Sequence, residues 1–506
     1  MIRVLSLSLL ILILSFGISP AEELIQAPAA IQVSSIVSDG KHSIQQIIDI
    51  ARKSGIKVLI LNERDYMRWE YGLLPLRKVV KKTVEANSIA TYGIKNYLKS
   101  IERAGKDNPD MVLIAGVESA PFYYWSGSPF GDDFRINDWH RHLLIIGLEG
   151  VSDYRGLPSV ANRHSPLSRF DFKGDFYLIL VPALLLVAGF LSLRKRSFHY
   201  RDLAGHALGP YSRVWRVLGI ILTAIGLIFF FNNFPFRSLK YDQYHADQGK
   251  GPYQDLIDYV GKKGGMVFWA HPEVENIRRQ GRVAIETKPY QHLLLETRGY
   301  TGYTVHYGGY SRVGIPAGIW DQALKEYCRG ERKKPVWAIG GLGFDQQGDL
   351  AEYIKDLRTM ILVPRLGKKE VIKALGQGKM YVVTGGGELE LILDEFTVKD
   401  SLSDAEAGMG DQIDLEGDPV IKVRGHLSGA QGEAEGALKI KLIREGVVIK
   451  EFEAESPFEI EYQDGHSTVG KKTFYRLEIY SPRRIIISNP VFVNPVSSYN
   501  RQFEDF

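Results

Sequence analysis

The sequence predicts a mixed α/β domain that two membrane-spanning helices interrupt and that a second, all-β domain follows. Three observations lead to this fold class. Strand–helix–strand patterns lie on both sides of a central segment, residues 176–232, which holds two apolar runs close to the ~20 residues that cross a bilayer. From residue 380 onward the apolar runs are short, alternating or β-branched, and turns rich in Gly, Asp and Glu separate them, as in antiparallel sheets.

Composition limits the classes of protein to which the chain can belong. Its 506 residues are enough for two or three domains, and its net charge of +4 is small. Much of the basic excess lies between the two apolar runs, which argues against a nucleic-acid partner. The single cysteine, Cys328, excludes a disulfide framework and a zinc site built from cysteines.

Residues 1–29 are predicted to be a signal peptide or an uncleaved N-terminal anchor. Arg3 provides a short basic start, the apolar run Leu5–Leu14 follows, and small residues come next. Ala27-Pro28-Ala29 and Ser19-Pro20-Ala21 are the two candidate cleavage sites. Either form of this segment places the chain that follows outside the cytoplasm.

The central segment is predicted to be a transmembrane hairpin formed by Phe176–Leu193 and Val214–Phe231. The stretch between these runs contains five basic residues, Arg194, Lys195, Arg196, Arg201 and Arg213. Under the positive-inside rule this stretch is cytoplasmic, so the main domains lie on the periplasmic side and the lipid bilayer is a partner. The alternative is a pair of buried helices in a soluble core, which Pro182 and Arg216 favour because both are unfavourable inside a span.

Residues 30–150 are predicted to form the first half of the α/β domain. Ile31–Ser35 is a candidate strand, Ser43 begins a helix with a capping box completed by Gln46, and Lys57–Leu61 is a buried strand. Such a unit builds a parallel sheet or barrel. Further predicted elements are a helix over 88–104 and the strands Met111–Val117 and His142–Leu148, before a linker over 151–175.

Residues 251–365 repeat this pattern. The predicted elements are a helix marked by Tyr253, Leu256, Ile257 and Val260, the strands Met266–Ala270, Leu293–Leu295 and Val336–Ile339, and a helix around Trp320–Tyr327. Neither half has enough strands to close a barrel alone, which favours one divided domain over two small ones. Residues 380–497 form the all-β, sandwich-like domain, with strands such as Leu389–Leu393, Val420–Val423, Leu438–Leu442 and Phe474–Ile479.

Several polar residues stand at the ends of predicted strands. Glu118 ends one strand, His142 opens the next, and His271 follows a third strand within Ala270-His271-Pro272. Together with Ser38-Asp39-Gly40 before an Ile-rich helix, this order of motifs resembles the PHP (polymerase and histidinol phosphatase) family over roughly residues 31–150 and 251–350. The resemblance implies a distorted parallel (β/α) barrel, in which metal ions at the carboxyl ends of the strands hydrolyse phosphate esters.

The chain departs from the motifs of that family at three places. Gln32 and Ser34 stand where the family has a His-x-His pair, and an amide and a hydroxyl bind divalent transition metals much less well than imidazole does. Glu63 and Arg64 replace an Asp-His pair. The closing Asp-x-His motif corresponds to Gly343 and Asp345.

The resemblance therefore leaves Glu118, His142 and His271 as candidate metal ligands, with Glu63 and Asp345 as substitutes. Such a set can hold one ion of the zinc or manganese type, or none. For His271 the alternative is a strand-end histidine bonded to the backbone.

Arg64 is a candidate ligand-binding residue, because a guanidinium pairs well with phosphate or carboxylate. The alternative for Arg64 is a salt bridge to Glu63, Asp65 or Glu118. Aromatic residues over 122–139 can stack on sugar rings or pack on their own scaffold.

Three functions remain open. The first is a PHP-like domain in the bacterial cell envelope that has a depleted metal site and binds an envelope ligand or protein without turnover. The second is a metal-dependent phosphoesterase that uses one metal ion. The third is a glycan-binding or scaffolding protein that acts through the all-β domain.

Overall fold

The fold was analysed in a computed structural model of the chain. The structure describes residues 24–169, 172–195, 200–201, 207–208, 211–234, 236, 238–306, 309–344, 348–386, 390–429, 437–465 and 471–495. Most of the predicted N-terminal signal or anchor segment, and Asp345, lie outside the described residues.

Eight strands of the largest sheet organise the α/β part. They are β1 Ile25–Val33, β2 Val58–Arg64, β3 Val112–Ser119, β4 Leu143–Ile146, β5 Met266–Trp269, β6 Gly302–Val305, β7 Trp337–Gly340 and β8 Leu357–Val363. Their spatial order is β7-β6-β5-β4-β3-β2-β1-β8. The strands β1, β2 and β3 are parallel, as are β5, β6 and β7, whereas β4 runs antiparallel to both of its neighbours.

The residues that follow β7 return to β1. Leu342 donates its backbone N–H to Ile31 O at 2.9 Å, and Ser34 donates to Phe344 O at 3.0 Å. The seven strands β1–β7 therefore meet in a ring at this end, where β2, β3, β5 and β6 all have their carboxyl ends. Because β4 and β5 are paired, the stretches before and after the apolar helices belong to one sheet.

The described part of the chain also contains eleven α-helices. They are α1 Ile44–Lys53, α2 Ile89–Tyr92, α3 Ile94–Asp107, α4 Val151–Arg155, α5 Phe172–Arg194, α6 Tyr211–Asn233, α7 Gly251–Lys262, α8 Leu293–Glu296, α9 Ile319–Cys328, α10 Leu350–Asp356 and α11 Lys368–Gln377. The predicted capping box of α1 is confirmed, since Ser43 and Gln46 each accept a hydrogen bond from the other's backbone N–H. The predicted buried face of α7 is also confirmed.

One local prediction was wrong. Leu293–Leu295 is not a strand but lies in the short helix α8, and the strand that pairs between β5 and β7 is β6, Gly302–Val305. A short apolar run does not distinguish a strand from a buried helix, and leucine favours the helix. In addition, β1 begins at Ile25, ahead of the predicted domain start, and Ala27 and Ala29 are buried in it. The Ala27-Pro28-Ala29 cleavage site thus lies inside a strand that pairs with β8.

Smaller sheets complete the α/β part. A hairpin consists of Arg68–Gly72 and Lys81–Glu85, and a four-stranded sheet consists of Tyr124–Ser126, Arg135–Asn137, Asn276–Gln280 and Val283–Thr287. Two-residue strands lie at Ser168–Arg169, Tyr200–Arg201, Ala207–Leu208 and Ser238–Leu239. The four-stranded sheet is built from the loops that follow β3 and β5, so it stands beside the carboxyl ends of the ring.

The C-terminal part consists of two sheets that share a buried core. The first sheet continues from β8 through Met380–Thr384, Ile485–Ser488, Thr473–Tyr480, Leu438–Arg444 and Val447–Ala454, with Val491–Pro495 and Gln412–Leu415 beside it. The second contains Glu406–Gly408, Glu390–Asp400, Pro419–Ser428 and Phe458–Gln463. Tyr381, Leu393, Phe396 and Leu477 are among the side chains of the shared core.

A buried ion-pair network joins the two parts of the chain. Arg476 is fully buried and binds both carboxylate oxygens of Asp321 in α9, at 2.7 and 2.8 Å. It also binds Glu478 at 2.8 Å and donates to Gly314 O at 3.2 Å. The C-terminal part is therefore attached through a continuous sheet and through desolvated charges.

The helices α5 and α6 are long and apolar enough to cross a membrane. The candidate spans are Asp175–Arg194 and Arg213–Asn233, and only 11% of each apolar window is buried. The two helices pack closely where Gly189 faces Gly219, because a Cβ added to either glycine would lie within 3.1 Å of backbone atoms of the other helix. This exposure does not fit the alternative of two helices buried in a soluble core.

Candidate functional site

Three of the predicted ligands come together at the carboxyl-end rim of the ring. Glu118 is the penultimate residue of β3, His142 immediately precedes the antiparallel strand β4, and His271 follows β5. Their ligand atoms all lie within 4.8 Å of one another. Glu118 Oε1 is 2.5 Å from His142 Nδ1 and 3.5 Å from His271 Nε2. One carboxylate oxygen is thus the centre of the cluster.

The guanidinium of Arg64, the last residue of β2, contacts this oxygen. Its Nη1 lies 2.6 Å from Glu118 Oε1 and 2.9 Å from His142 Nδ1, and its Nε donates to Asp39 Oδ2 at 2.7 Å. The structure therefore contains the predicted salt bridge to Glu118. It adds Asp39 as a second anionic partner, which sequence reasoning did not find.

The charges in the cluster depend on one another. Burial alone would raise the pKa of Glu118, but Arg64 and His142 lower it well below its usual value, so the carboxylate is ionised. Burial and the Arg64 charge lower the pKa of His142 to about 4, so its imidazole is neutral at pH 7. Nδ1 of His142 thus lies between a donor, Arg64 Nη1 at 2.9 Å, and an acceptor, Glu118 Oε1 at 2.5 Å.

The two residues at the opening motif have structural partners. Gln32 Nε2 donates to Glu118 Oε2 at 3.3 Å, and Ser34 Oγ donates to Asn62 O at 3.3 Å. Gln32 acts here as a donor to the carboxylate rather than as a metal ligand. Its backbone has a φ of 66°, and His271 has a φ of 32°. Left-handed backbone at residues other than glycine is uncommon, and it occurs often at functional sites.

Glu63 lies outside the cluster. Its two carboxylate oxygens accept the backbone N–H of Ser35 at 3.0 and 3.1 Å, and Oε2 also accepts from Ser38 Oγ. Burial raises the pKa of Glu63 to about 7, although these hydrogen bonds act in the opposite direction. Glu63 therefore holds the loop after β1 in place and is not a substitute ligand in this geometry.

The raised pKa of Glu63 predicts a pH-dependent stability. An unfolded glutamate loses its proton near pH 4.5 and the folded one near pH 7, so the folded state binds more protons in this interval. The free energy of unfolding therefore falls as the pH rises from 4.5 to 7, by up to about 3 kcal/mol from this residue. Replacing Glu63 with glutamine is expected to remove that loss.

Chemical denaturation at pH 5 and pH 8 measures this effect. The Glu63→Gln variant should lose less stability than the wild type between these two pH values, and the exposed Glu85→Gln variant should behave as the wild type does. Asp65, whose pKa burial also raises to about 7, contributes to the slope that remains. Identical slopes in the wild type and Glu63→Gln would contradict the prediction.

The cluster forms the floor of an open cavity of about 480 Å³. Its wall includes Gln32, Arg64, His140, His142, His271, Asn276, Arg278 and His306, and one acidic residue, Glu275. Burial lowers the pKa of His140 well below its usual value, so this ring is neutral at pH 7. Sequence analysis missed His306 because it directly follows β6, the strand that was not predicted. A cavity of this size suits a small molecule.

The cluster meets only part of what a divalent metal ion requires. A carboxylate and two imidazoles are suitable ligands, and their spacing would allow them to surround one ion. However, the guanidinium of Arg64 is already at contact distance from the shared oxygen of Glu118 and from His142 Nδ1. An ion and this guanidinium cannot occupy the same place, so the residues in this arrangement do not fit a bound metal.

Most of the aromatic side chains over 122–139 pack on their scaffold. Phe122, Tyr123 and Trp139 are buried, whereas Phe130 is 83% exposed. Trp125 and Phe134 stack with their centroids 4.7 Å apart and line a second cavity, away from the cluster. The buried aromatic residues of this loop therefore pack on their own scaffold, which was the alternative to stacking on sugar rings.

Comparisons with known proteins identify similar solved structures. No protein-family model matches the sequence, and no curated protein matches it. A two-domain protein from Bacteroides vulgatus, containing a predicted PHP-like metal-dependent phosphoesterase, is 10% identical with a TM-score of 0.33, over 92% of this chain and 100% of that chain. An amidohydrolase from Chromobacterium violaceum with bound sulfate and no metal is 13% identical, with a TM-score of 0.26, over 64% of this chain and 89% of that chain. These folds superpose only loosely, so the function is argued from the residues of this chain.

Proposed function

We propose that this chain is a membrane-anchored protein of the cell envelope whose PHP-type barrel binds a small anionic ligand without metal-dependent turnover. The observation that carries this proposal is the position of Arg64. Its guanidinium is paired with both Glu118 and Asp39 at the place where a catalytic ion would need free ligands. A tethered cation of this kind replaces the charge of a metal, but it offers no open coordination position to activate water.

The cavity above the cluster supports an anionic ligand. Arg278 adds a second guanidinium to its wall, and four imidazoles, those of His140, His142, His271 and His306, provide ring nitrogens. Guanidinium groups pair with phosphate and carboxylate through charge-assisted hydrogen bonds. Arg278 lines the cavity beside these imidazoles, and it is the residue that we assign to contact the ligand directly.

The helices α5 and α6 support anchoring in a membrane. Each has the length and the apolar, exposed surface of a bilayer span. The basic residues that follow α5 support a cytoplasmic position for the connection between the helices under the positive-inside rule. The ring of strands and the C-terminal sheets then lie on the periplasmic side.

A second candidate function is a phosphoesterase that uses one metal ion. The convergence of Glu118, His142 and His271 within 4.8 Å favours it. It requires Arg64 to leave the cluster, because the guanidinium lies against the same carboxylate oxygen. The two candidates therefore differ in whether metal binding and hydrolysis can be observed with Arg64 present.

Ligand binding can be measured by thermal shift on the full-length protein in detergent, with inorganic phosphate, sugar phosphates and dicarboxylates. At least one of these anions is expected to raise the Tm, and the Arg278→Ala variant should lose that shift. Arg279→Ala is the matched control. Arg279 is the next residue in the chain, but its guanidinium donates to Asp132 O and does not line the cavity. Hydrolysis of a phosphoester that needs zinc or manganese and stops in His271→Ala would contradict the proposal.

A further inference from the structure

A second cavity, which the proposed function does not use, lies between the hairpin of Arg68–Gly72 and Lys81–Glu85 and the four-stranded sheet. Its volume is about 560 Å³. We call it the aromatic groove, and its lining includes Trp69, Tyr71, Val84, Trp125, Phe134 and Ile285. The aromatic rings are held in place, since Tyr71 packs edge-on against Trp125 and Phe134 at 5.1 and 4.8 Å.

We propose that the aromatic groove binds an acyl chain of an anionic phospholipid from the surrounding bilayer. This inference rests on the proposed membrane span of α5 and α6. Three observations support it: the position of the groove relative to these helices, the apolar character of its wall, and the basic residues at its rim.

Hydrogen bonds join the groove to the end of α6 and to the segment that follows this helix. In the loop that connects the two hairpin strands, Lys78 donates its backbone N–H to Asn232 Oδ1 in α6 at 3.0 Å. On the groove itself, Trp125 donates its backbone N–H to Gln243 O at 2.8 Å, shortly after α6 ends. The groove therefore stands beside the point where α6 leaves the bilayer.

The hairpin loop presents apolar side chains at the same place. Leu74 is 73% exposed and Val79 is 51% exposed. Arg77 and Lys78 lie between them in the chain. Exposed apolar residues interleaved with basic ones are typical of a segment that lies in the membrane interface. This loop would bring the mouth of the groove to the level of the lipid headgroups.

The composition of the groove favours a lipid over a sugar. The described lining of the groove is mostly aliphatic or aromatic. Gln280 contributes a side-chain amide that can form hydrogen bonds. A sugar site needs several convergent polar groups to bind its hydroxyls. Lys82 and Arg282 stand at the rim with Lys81, which also pairs with Glu70 at 2.9 Å, and the described lining contains no acidic residue. An apolar tail with an acidic headgroup matches this arrangement.

Photolabelling in nanodiscs tests the inference on the full-length protein. One probe is phosphatidylglycerol with a diazirine in an acyl chain, and the other is phosphatidylcholine with the same acyl diazirine. The phosphatidylglycerol probe is expected to label peptides covering 69–84 and 124–136 several-fold more than the phosphatidylcholine probe does. Both probes should label α5 and α6, which reports the proposed span independently.

Two variants separate charge from packing. Lys82→Glu combined with Arg282→Glu should reduce groove labelling by phosphatidylglycerol about fivefold, because the acidic headgroup is then repelled. The matched control is Lys95→Glu combined with Lys99→Glu on α3, which makes the same charge change on exposed residues elsewhere and should leave labelling unchanged. Val84→Trp, which fills the groove from an exposed strand, should reduce labelling by both probes.

The outcomes are distinct. Labelled helices with an unlabelled groove, or equal groove labelling by both headgroups, would overturn the lipid assignment and leave the membrane span intact. Loss of groove labelling on addition of a soluble oligosaccharide, without dependence on headgroup, would also overturn it in favour of a sugar ligand. Unlabelled helices would instead overturn the proposed span on which the inference rests.

Discussion

Replacing Arg64 with histidine is expected to create a metal site at the place that the Arg64 guanidinium occupies in the wild type. The substitution removes the guanidinium from the shared oxygen of Glu118 and adds an imidazole beside His142 and His271. A carboxylate with three imidazoles is a good donor set for zinc. We expect zinc affinity to rise by at least about 100-fold, which corresponds to roughly 3 kcal/mol of binding free energy.

Two measurements check this gain. Isothermal titration calorimetry gives the zinc affinity directly, and the Tm of Arg64→His should rise with zinc because a ligand that binds only the folded state stabilises it. Arg68→His is the matched control, since the Arg68 side chain is 9% exposed against 15% for Arg64 but pairs with Glu70 outside the cluster. If zinc raised the Tm of the wild type as much as that of Arg64→His, Arg64 would not be the residue that excludes the ion.

Replacing Arg476 with alanine is expected to be the most destabilising single change at the junction between the two parts. The fully buried guanidinium pairs with Asp321 and Glu478, whose side chains are also fully buried. Removing one partner of a buried ion pair leaves an uncompensated charge and costs roughly 3–5 kcal/mol. Chemical denaturation of the full chain in detergent measures this loss.

An exposed ion pair provides the comparison. Arg424 binds Glu395 at 2.6 Å, but its side chain is 49% exposed. Its replacement with alanine is expected to cost less than about 1 kcal/mol. Similar losses in Arg424→Ala and Arg476→Ala would show that the buried network does not hold the two parts together.

Much of the local structure could be predicted because its causes lie in neighbouring residues. Ser43 and Gln46 define the start of α1 by themselves, and the spacing of apolar residues in α7 defines its buried face. Glu118, His142 and His271 were found at strand ends, and strands that share an edge of a sheet bring such residues together. The existence of the cluster was therefore accessible from the order of motifs.

The state of the cluster was less accessible. Sequence analysis named Glu118 as one possible partner of Arg64, but the pairing with Asp39 depends on how the loop after β1 folds back over β2. Glu63 was predicted as a possible ligand, but its side chain accepts hydrogen bonds from Ser35 and Ser38. Which of several neighbouring charges meet is a property of tertiary packing, and periodicity in the chain does not report it.

The same reason explains what was missed at larger scale. The all-β domain was predicted as a separate unit, whereas Met380–Thr384 pairs with β8 and extends the sheet of the ring. The missed strand β6 concealed His306, and with it one wall of the ligand cavity. Contacts between segments that are distant in sequence decided each of these features.

Elemental analysis of the purified full-length protein, after incubation with zinc or manganese and removal of free ions, tests the central claim most directly. We expect far less than one equivalent of either metal, with no difference among the wild type, Glu118→Ala and His271→Ala. One equivalent of a transition metal in the wild type, lost in both variants, would contradict the claim that Arg64 fills the site and would favour the single-metal phosphoesterase.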